Sequence, residues 1–222
     1  LITHWDLIER EEGRYNFEDL DWQIEKSEEK GVKLLLVIGM KTPRWPECHI
    51  PQWAKGLSRE KQQEKILDLI EKIVLRYQDS SAIHMWQVEN EPFFPFGECP
   101  WIDKDFLKKE IKLVKSLDQL KRPVVISDSG EFSLWIQAAK LGDIVGTTMY
   151  RKVWFHQLKI YITYPFHLYF AYNTIYCTSL SRWTQRDTPG AFHCFFFSFN
   201  RWVLSNNRFF IPVYERYRLD TG

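Results

Sequence analysis

Two carboxylates flanking an amide, Glu89-Asn90-Glu91, stand at the end of the run Ile83-His84-Met85-Trp86-Gln87-Val88 and are followed by Pro92. The run is apolar, aromatic and β-branched, without glycine or proline, which predicts a strand; Pro92 cannot extend its ladder. A carboxylate at the tip of a buried strand is costly unless the tip opens into a cleft. In a cleft it can store and pass on a proton, provided burial or a neighbouring negative charge raises its pKa. Alternation puts Gln87, Glu89 and Glu91 on one face and Trp86, Val88 and Asn90 on the other. Asn90 and Glu91 can therefore act together only if the backbone twists or bulges between them. Glu89, a layer deeper on the face of Glu91, reads as a buried structural carboxylate. The plainer alternative is that Asn-Glu-Pro merely begins a loop.

The elements that must position this tip read as alternating strands and helices. Leu1 to Trp5 reads as a strand end. Asn16 is a good helix N-cap, Glu18 and Asp19 suit the first turn, Leu20 and Ile24 share a face, and Gly31 stops the helix. Residues 32–39 are an almost continuous apolar run, as in a parallel strand covered on both faces. Ser58 caps a helix with Ile66, Leu69, Ile70, Ile73, Val74 and Tyr77 on one side. Asp103 caps another carrying Leu107, Ile111, Val114 and Leu117. Strands are predicted over 83–90, 123–128 and 143–149, with a short helix from Ser133 to Leu141. Strand, helix, strand, helix with short links gives an α/β fold with a parallel sheet and right-handed crossovers. Ligands on such a sheet lie at the carboxyl ends of the strands, which directs attention to His4, Trp5, Met40, Glu91, Asp128 and Tyr150.

Three stretches together carry a family resemblance. The first is the strand ending in Asn90-Glu91-Pro92. The second is Trp5, the loop Gly13-Arg14-Tyr15-Asn16-Phe17, and Leu20-Asp21-Trp22. The third is the Pro- and Trp-rich loop Thr42-Pro43-Arg44-Trp45-Pro46 and Ile50-Pro51-Gln52-Trp53. The chain resembles clan A of the glycoside hydrolases, (β/α)8 TIM barrels that include β-galactosidases, β-xylosidases, xylanases and cellulases. The resemblance implies retaining hydrolysis of β-linked O-glycosides, with Glu91 as general acid/base and Asn90 bonded to the sugar 2-hydroxyl. Their positions at strand ends put Trp5, Tyr150 and His4 among the candidate sugar-binding residues, and the resemblance adds Trp45; for Trp45 packing on the rim is an equal reading, and for Trp53 packing is favoured. In the clan the nucleophile is a Glu ending strand seven. Glu215, after Phe209-Phe210-Ile211-Pro212-Val213-Tyr214, is the candidate, ahead of Glu131.

At 222 residues the chain suits one domain but is short for a complete eightfold barrel of about 250. Residues 1–154 read as a partial barrel, about strands two to six, with both the start and the end missing. The segment 155–222 contains one lysine, Lys159, and the raw aromatic run 192–199, and is read as an out-of-frame or disordered tail. The net charge of +1 gives no sign of a nucleic-acid partner, and no apolar run is long enough to cross a membrane. Cys48, Cys99, Cys177 and Cys194 form no CxxC or zinc pattern, so free thiols are the default. No signal peptide is visible, and a cytoplasmic location is slightly favoured. No cofactor and no metal are implied, and the expected partner is a carbohydrate; oligomeric state is left open. Two further readings stand beside hydrolysis: a non-catalytic carbohydrate-binding barrel, and an unrelated lyase or aldolase using Lys41 or Lys152 as a Schiff base.

Overall fold

The computed structural model describes residues 1–129, 135–148, 152–155, 159–163, 203–204 and 210–211. Four parallel strands, β1 (Leu34–Ile38), β2 (Ile83–Val88), β3 (Val124–Ser129) and β4 (Ile144–Thr148), are hydrogen-bonded in chain order. This consecutive parallel wall is what the alternating pattern predicts, and it is the arrangement that the part of a (β/α)8 barrel implied by the resemblance requires. On the outer side of β1, the amide of Thr3 donates to the carbonyl of Val37 at 3.0 Å, and Ile2 pairs with Val37 in parallel. The strand expected at the start is therefore present up to Thr3, but Trp5 opens a helical turn, α1 (Trp5–Ile8).

The helices follow from their caps and stripes. In α2 (Glu18–Glu29) the first amide donates to Asn16 Oδ1 at 2.9 Å, and Gly31 ends the segment at a φ of +62°. Helix α3 (Arg59–Tyr77) begins at Ser58, whose side chain accepts from the Lys61 amide. Asp103 accepts from the amides of Asp105 and Phe106 to start α4 (Lys104–Leu117), and a short α5 (Ile136–Leu141) precedes β4. The stripe Ile66, Leu69, Ile70, Ile73 and Val74 on α3 is fully buried.

Successive residues of each strand point to opposite faces, and this sorts an almost uniformly apolar run into two layers. Leu34, Leu36 and Ile38, Trp86 and Val88, and Val124 and Ile126 pack with α3 and α4 in the main core. Met85, Val125 and Ile144, with Leu35 against them, form a separate small cluster on the other side. Full burial of one such side chain contributes about 1.5–3 kcal/mol, so the helix-facing layer dominates the stability of the wall.

Cys48 and Cys99 form a disulfide across a sequence separation of 51, which corrects the expectation of free thiols. It ties the loop after β1 to the loop after β2, and spacing alone could not announce it because the two loops meet only in the fold. Cys177 and Cys194 lie outside the described residues. Beyond β4, β5 (Lys152–Phe155) pairs antiparallel with β6 (Ile160–Thr163), and β7 (Val203–Leu204) with β8 (Phe210–Ile211). The rest of the expected tail, 155–222, lies outside the described residues. Among the described residues no helix is long and apolar enough to cross a membrane.

Candidate active site at the strand ends

The tip of β2 departs from strand geometry. Glu89 has a φ of +59° and Glu91 a φ of +43°, left-handed conformations that side chains larger than glycine rarely adopt. This is the backbone irregularity that joint action of Asn90 and Glu91 requires. It also overturns one expectation, that Glu89 shares a face with Gln87 and Glu91. The left-handed turn sends the Glu89 side chain away, toward the carboxyl of Glu110 on α4, while Gln87 reaches Ser127 on β3 at 3.1 Å.

Glu89 is nonetheless structural, as its position suggested. Its Oε1 accepts from the Met40 amide at 2.7 Å and its Oε2 from the Lys41 amide at 2.6 Å, so it holds the turn leaving β1. Gly39 makes this possible: its φ is +115°, and a Cβ there would lie 2.4 Å from Glu89 Oε1. Burial raises the pKa of Glu89 to about 7 and that of Glu110 well above the ordinary value, the two carboxyls facing each other in a dry layer.

Asn90 and Glu91 are fixed by a polar network. The Asn90 amide donates to the Lys41 carbonyl at 2.6 Å, and the Glu91 amide to Ser127 Oγ at 2.9 Å. Asn90 Nδ2 donates to Glu47 Oε2 at 3.1 Å, and Asn90 Oδ1 lies 3.4 Å from both Gln87 Nε2 and Ser127 Oγ. Sequence reasoning missed Glu47. It is buried at a φ of +71°, in a loop whose Pro and Trp residues drew attention instead. Burial is the largest influence on Glu47 and raises its pKa, and the Glu91 charge pushes the same way. Lys41 sits among the charges of Glu47, Glu91, Glu89 and Asp128, with burial lowering its pKa. Its Nζ donates to the carbonyls of Glu91 and Phe94 at 2.9 and 2.7 Å, a role that ties two loops together.

The remaining predicted residues separate. Trp5 is fully buried, with Nε1 donating to Glu9 Oε2 at 2.7 Å and its ring edge-on to Trp53. It presents no free face to a sugar, which corrects its assignment: placed in α1 rather than at a strand tip, it turns into the core. Trp53 packs as expected and donates to the Glu9 carbonyl at 2.8 Å. Trp45 is 66% exposed on a cis Trp45–Pro46 bond, with Phe96 edge-on at 6.2 Å and Phe94 stacked on Phe96. Met40 and Asp128 are buried, and Asp128 Oδ1 accepts from the Ser129 amide at 2.9 Å. His4 is half-buried beside His49, ring centres 3.8 Å apart. Where the sequence implied no metal, the fold gathers His4, Asp6 and His49 into one cluster. Tyr150, Lys152 as a side chain, Glu131 and Glu215 lie outside what is described.

Comparison with known proteins bears on this geometry. Residues 2–109 match the family model described as glycosyl hydrolase family 10, a span that includes Asn90 and Glu91. A search of curated proteins gives no match. Among solved structures, xylanase 10B from Thermotoga petrophila RKU-1 in complex with xylobiose is similar at 21% identity and a TM-score of 0.54, covering 66% of this chain and 49% of that one. A glycosylated family 10 endo-β-1,4-xylanase from Gloeophyllum trabeum gives 20% identity and 0.52, covering 66% and 50%. A β-galactosidase from Rahnella sp. R3 gives 15% and 0.51, covering 68% and 34%. The chain thus spans about a third to a half of the length of these structures. The parallel wall and these neighbours together show part of a (β/α)8 barrel fold, and residues 2–109 of it are similar to glycosyl hydrolase family 10.

Proposed function

We propose that this barrel hydrolyses β-linked O-glycosides with retention, Glu91 acting as general acid/base. The observation that carries the reading is the Asn90-Glu91 pair at the carboxyl end of β2, inside the matched span and held by Ser127, Lys41 and Glu47. Retention needs a second carboxylate about 5–5.5 Å away to attack the anomeric carbon while the first protonates the departing oxygen. In the second step the same first carboxylate takes a proton from water. Glu215 remains the candidate nucleophile. Asn90 is assigned to the sugar 2-hydroxyl, with Glu47 orienting its amide, and Trp45 with Phe96 to stacking at the rim.

The xylobiose of the Thermotoga structure makes β-xylosides the first probes, with β-galactosides second. A proton donor alone contributes about 10²- to 10⁴-fold, far short of a glycosidase rate, so weak turnover by this chain is expected unless Glu215 completes the pair. Hydrolysis should release sugar of retained anomeric configuration. Glu91→Gln should lower the rate about 10²- to 10⁴-fold on alkyl glycosides, whose leaving group needs a proton, and far less for glycosylation by dinitrophenyl glycosides. An inverted product, or undiminished hydrolysis of alkyl glycosides by Glu91→Gln, overturns the proposal.

A further inference from the structure

One side-chain cluster stands outside the Glu91 network. His4 follows the short strand on the outer side of β1, Asp6 lies in α1, and His49 lies in the loop after β1. One ligand atom from each falls within 4.8 Å of the other two. His49 Nδ1 and Asp6 Oδ1 are 3.6 Å apart, close to the separation of about 3.3–3.4 Å between ligands on a tetrahedral ion with bonds of about 2.0–2.1 Å. The backbone already fastens two of the three carriers together, since the Asp6 amide donates to the His49 carbonyl at 3.0 Å.

Two buried polar atoms of these residues are left over. His4 Nδ1 and Asp6 Oδ1 are buried and have no hydrogen-bond partner among the described residues. Buried polar atoms are seldom left so. His49 Nε2 lies 3.2 Å from the Arg44 carbonyl, which can only accept. The ring nitrogen that donates to Arg44 is therefore Nε2, and Nδ1 of a neutral His49 presents its lone pair toward Asp6. A backbone carbonyl holding the far nitrogen of a ligating imidazole is the usual second support of a metal histidine. Asp6 also lines a cavity of about 390 Å³ bounded by Cys48, Ile50, Gln62 and Cys99.

We infer that His4, Asp6 and His49 form a divalent-cation site of the zinc class, with water completing the coordination. Two imidazoles and one carboxylate suit Zn²⁺ or Co²⁺ and not Mg²⁺ or Ca²⁺, which prefer oxygen ligands throughout. The ion would pin α1 and the disulfide-bearing loop to the first strands, on the side of β1 away from Glu91. The inference does not depend on hydrolysis by Glu91. The competing arrangement is a metal-free ion pair between protonated His49 and Asp6.

The test is titration of the full, tag-free chain with Co²⁺, followed by its visible d–d absorption, with Zn²⁺ as competitor and Mg²⁺ as control. The inference predicts one Co²⁺ per chain in a four- or five-coordinate environment, displaced by Zn²⁺ and not by Mg²⁺. It predicts at least a 10- to 100-fold loss of affinity in His49→Gln and in Asp6→Asn, with circular dichroism verifying that each is folded. Asp6→Asn preserves size and polarity, so it separates ligation from loosening of the loop. No bound Co²⁺ in the parent chain overturns the inference in favour of the ion pair, and so does binding that both folded variants retain.

Discussion

On the helix-facing side of β2, Trp86 and Val88 are fully buried among Ile66, Ile70 and Leu107, and the backbone is ordinary strand. One to three residues further along, Glu89 and Glu91 have positive φ, and in the loop after β1 Arg44 and Glu47 do as well. There the buried groups are carboxylates, amides and an ammonium, not hydrocarbon. Left-handed non-glycine residues cost on the order of 1–3 kcal/mol each, and they persist only where surrounding structure imposes them. The comparison teaches a division of labour: the helix-facing layer supplies the stability, and the strand ends spend part of it to hold charged groups in a fixed arrangement.

Substitutions on each side should break this contrast in different ways. Trp86→Ala removes the largest side chain of the β2 layer and should cost about 3–5 kcal/mol, read as a fall in the urea midpoint. Any ligand or metal affinity of the fraction still folded should change little. Gly39→Ala acts at the boundary between the regions, because its Cβ would meet Glu89 Oε1 at 2.4 Å and the φ of +115° is hostile to alanine. A loss of about 1–3 kcal/mol is expected, with accelerated hydrogen exchange at the Met40 and Lys41 amides that Glu89 accepts from.

The Glu89–Glu110 pair sharpens the contrast through pH. The folded pKa of Glu89 is raised from 4.5 to about 7, and that of Glu110 is raised too, so the native state keeps protons that the unfolded chain has released. Their contribution is fully present below about pH 4.5 and is lost as pH rises through about 7. Glu110→Gln keeps a polar side chain of the same size beside Glu89 and removes the second titrating carboxyl. Its urea midpoint should exceed the parent's at pH 8, by on the order of 1–2 kcal/mol in stability, and should vary less between pH 5 and 8. An unchanged pH dependence would show that the pair is not what titrates.

The wall was legible in the sequence because its signals are local. Ser58 and Asp103 cap the helices they were expected to cap, Gly31 ends α2, and the four apolar runs are the four parallel strands. The position of Asn90 and Glu91 at a strand tip followed from Pro92 and the polar ending. The remainder depended on contacts between distant segments. Cys48 meets Cys99, Glu47 meets Asn90, and His4 meets His49 only after β1 and its flanking loops are folded. Alternation failed at Glu89 because a positive φ there reverses the side chain, and nothing in the residue type Glu foretells that conformation. Trp5 was misplaced for a related reason: the chain leaves the first strand at Thr3 and turns into α1, so an aromatic expected on the cleft is carried into the core.

The central claim is that Glu91 faces the leaving-group oxygen of a bound β-glycoside, and affinity labelling tests it without requiring turnover. N-bromoacetyl-β-xylosylamine places an electrophilic carbon where that oxygen would sit; a carboxylate there displaces bromide and forms an ester. Peptide mass spectrometry of the labelled 222-residue chain should find one adduct, on Glu91, formed more slowly in the presence of xylobiose and absent from Glu91→Gln. Labelling confined to Glu47 or another carboxylate, or equal labelling of the Glu91→Gln chain, would contradict the account.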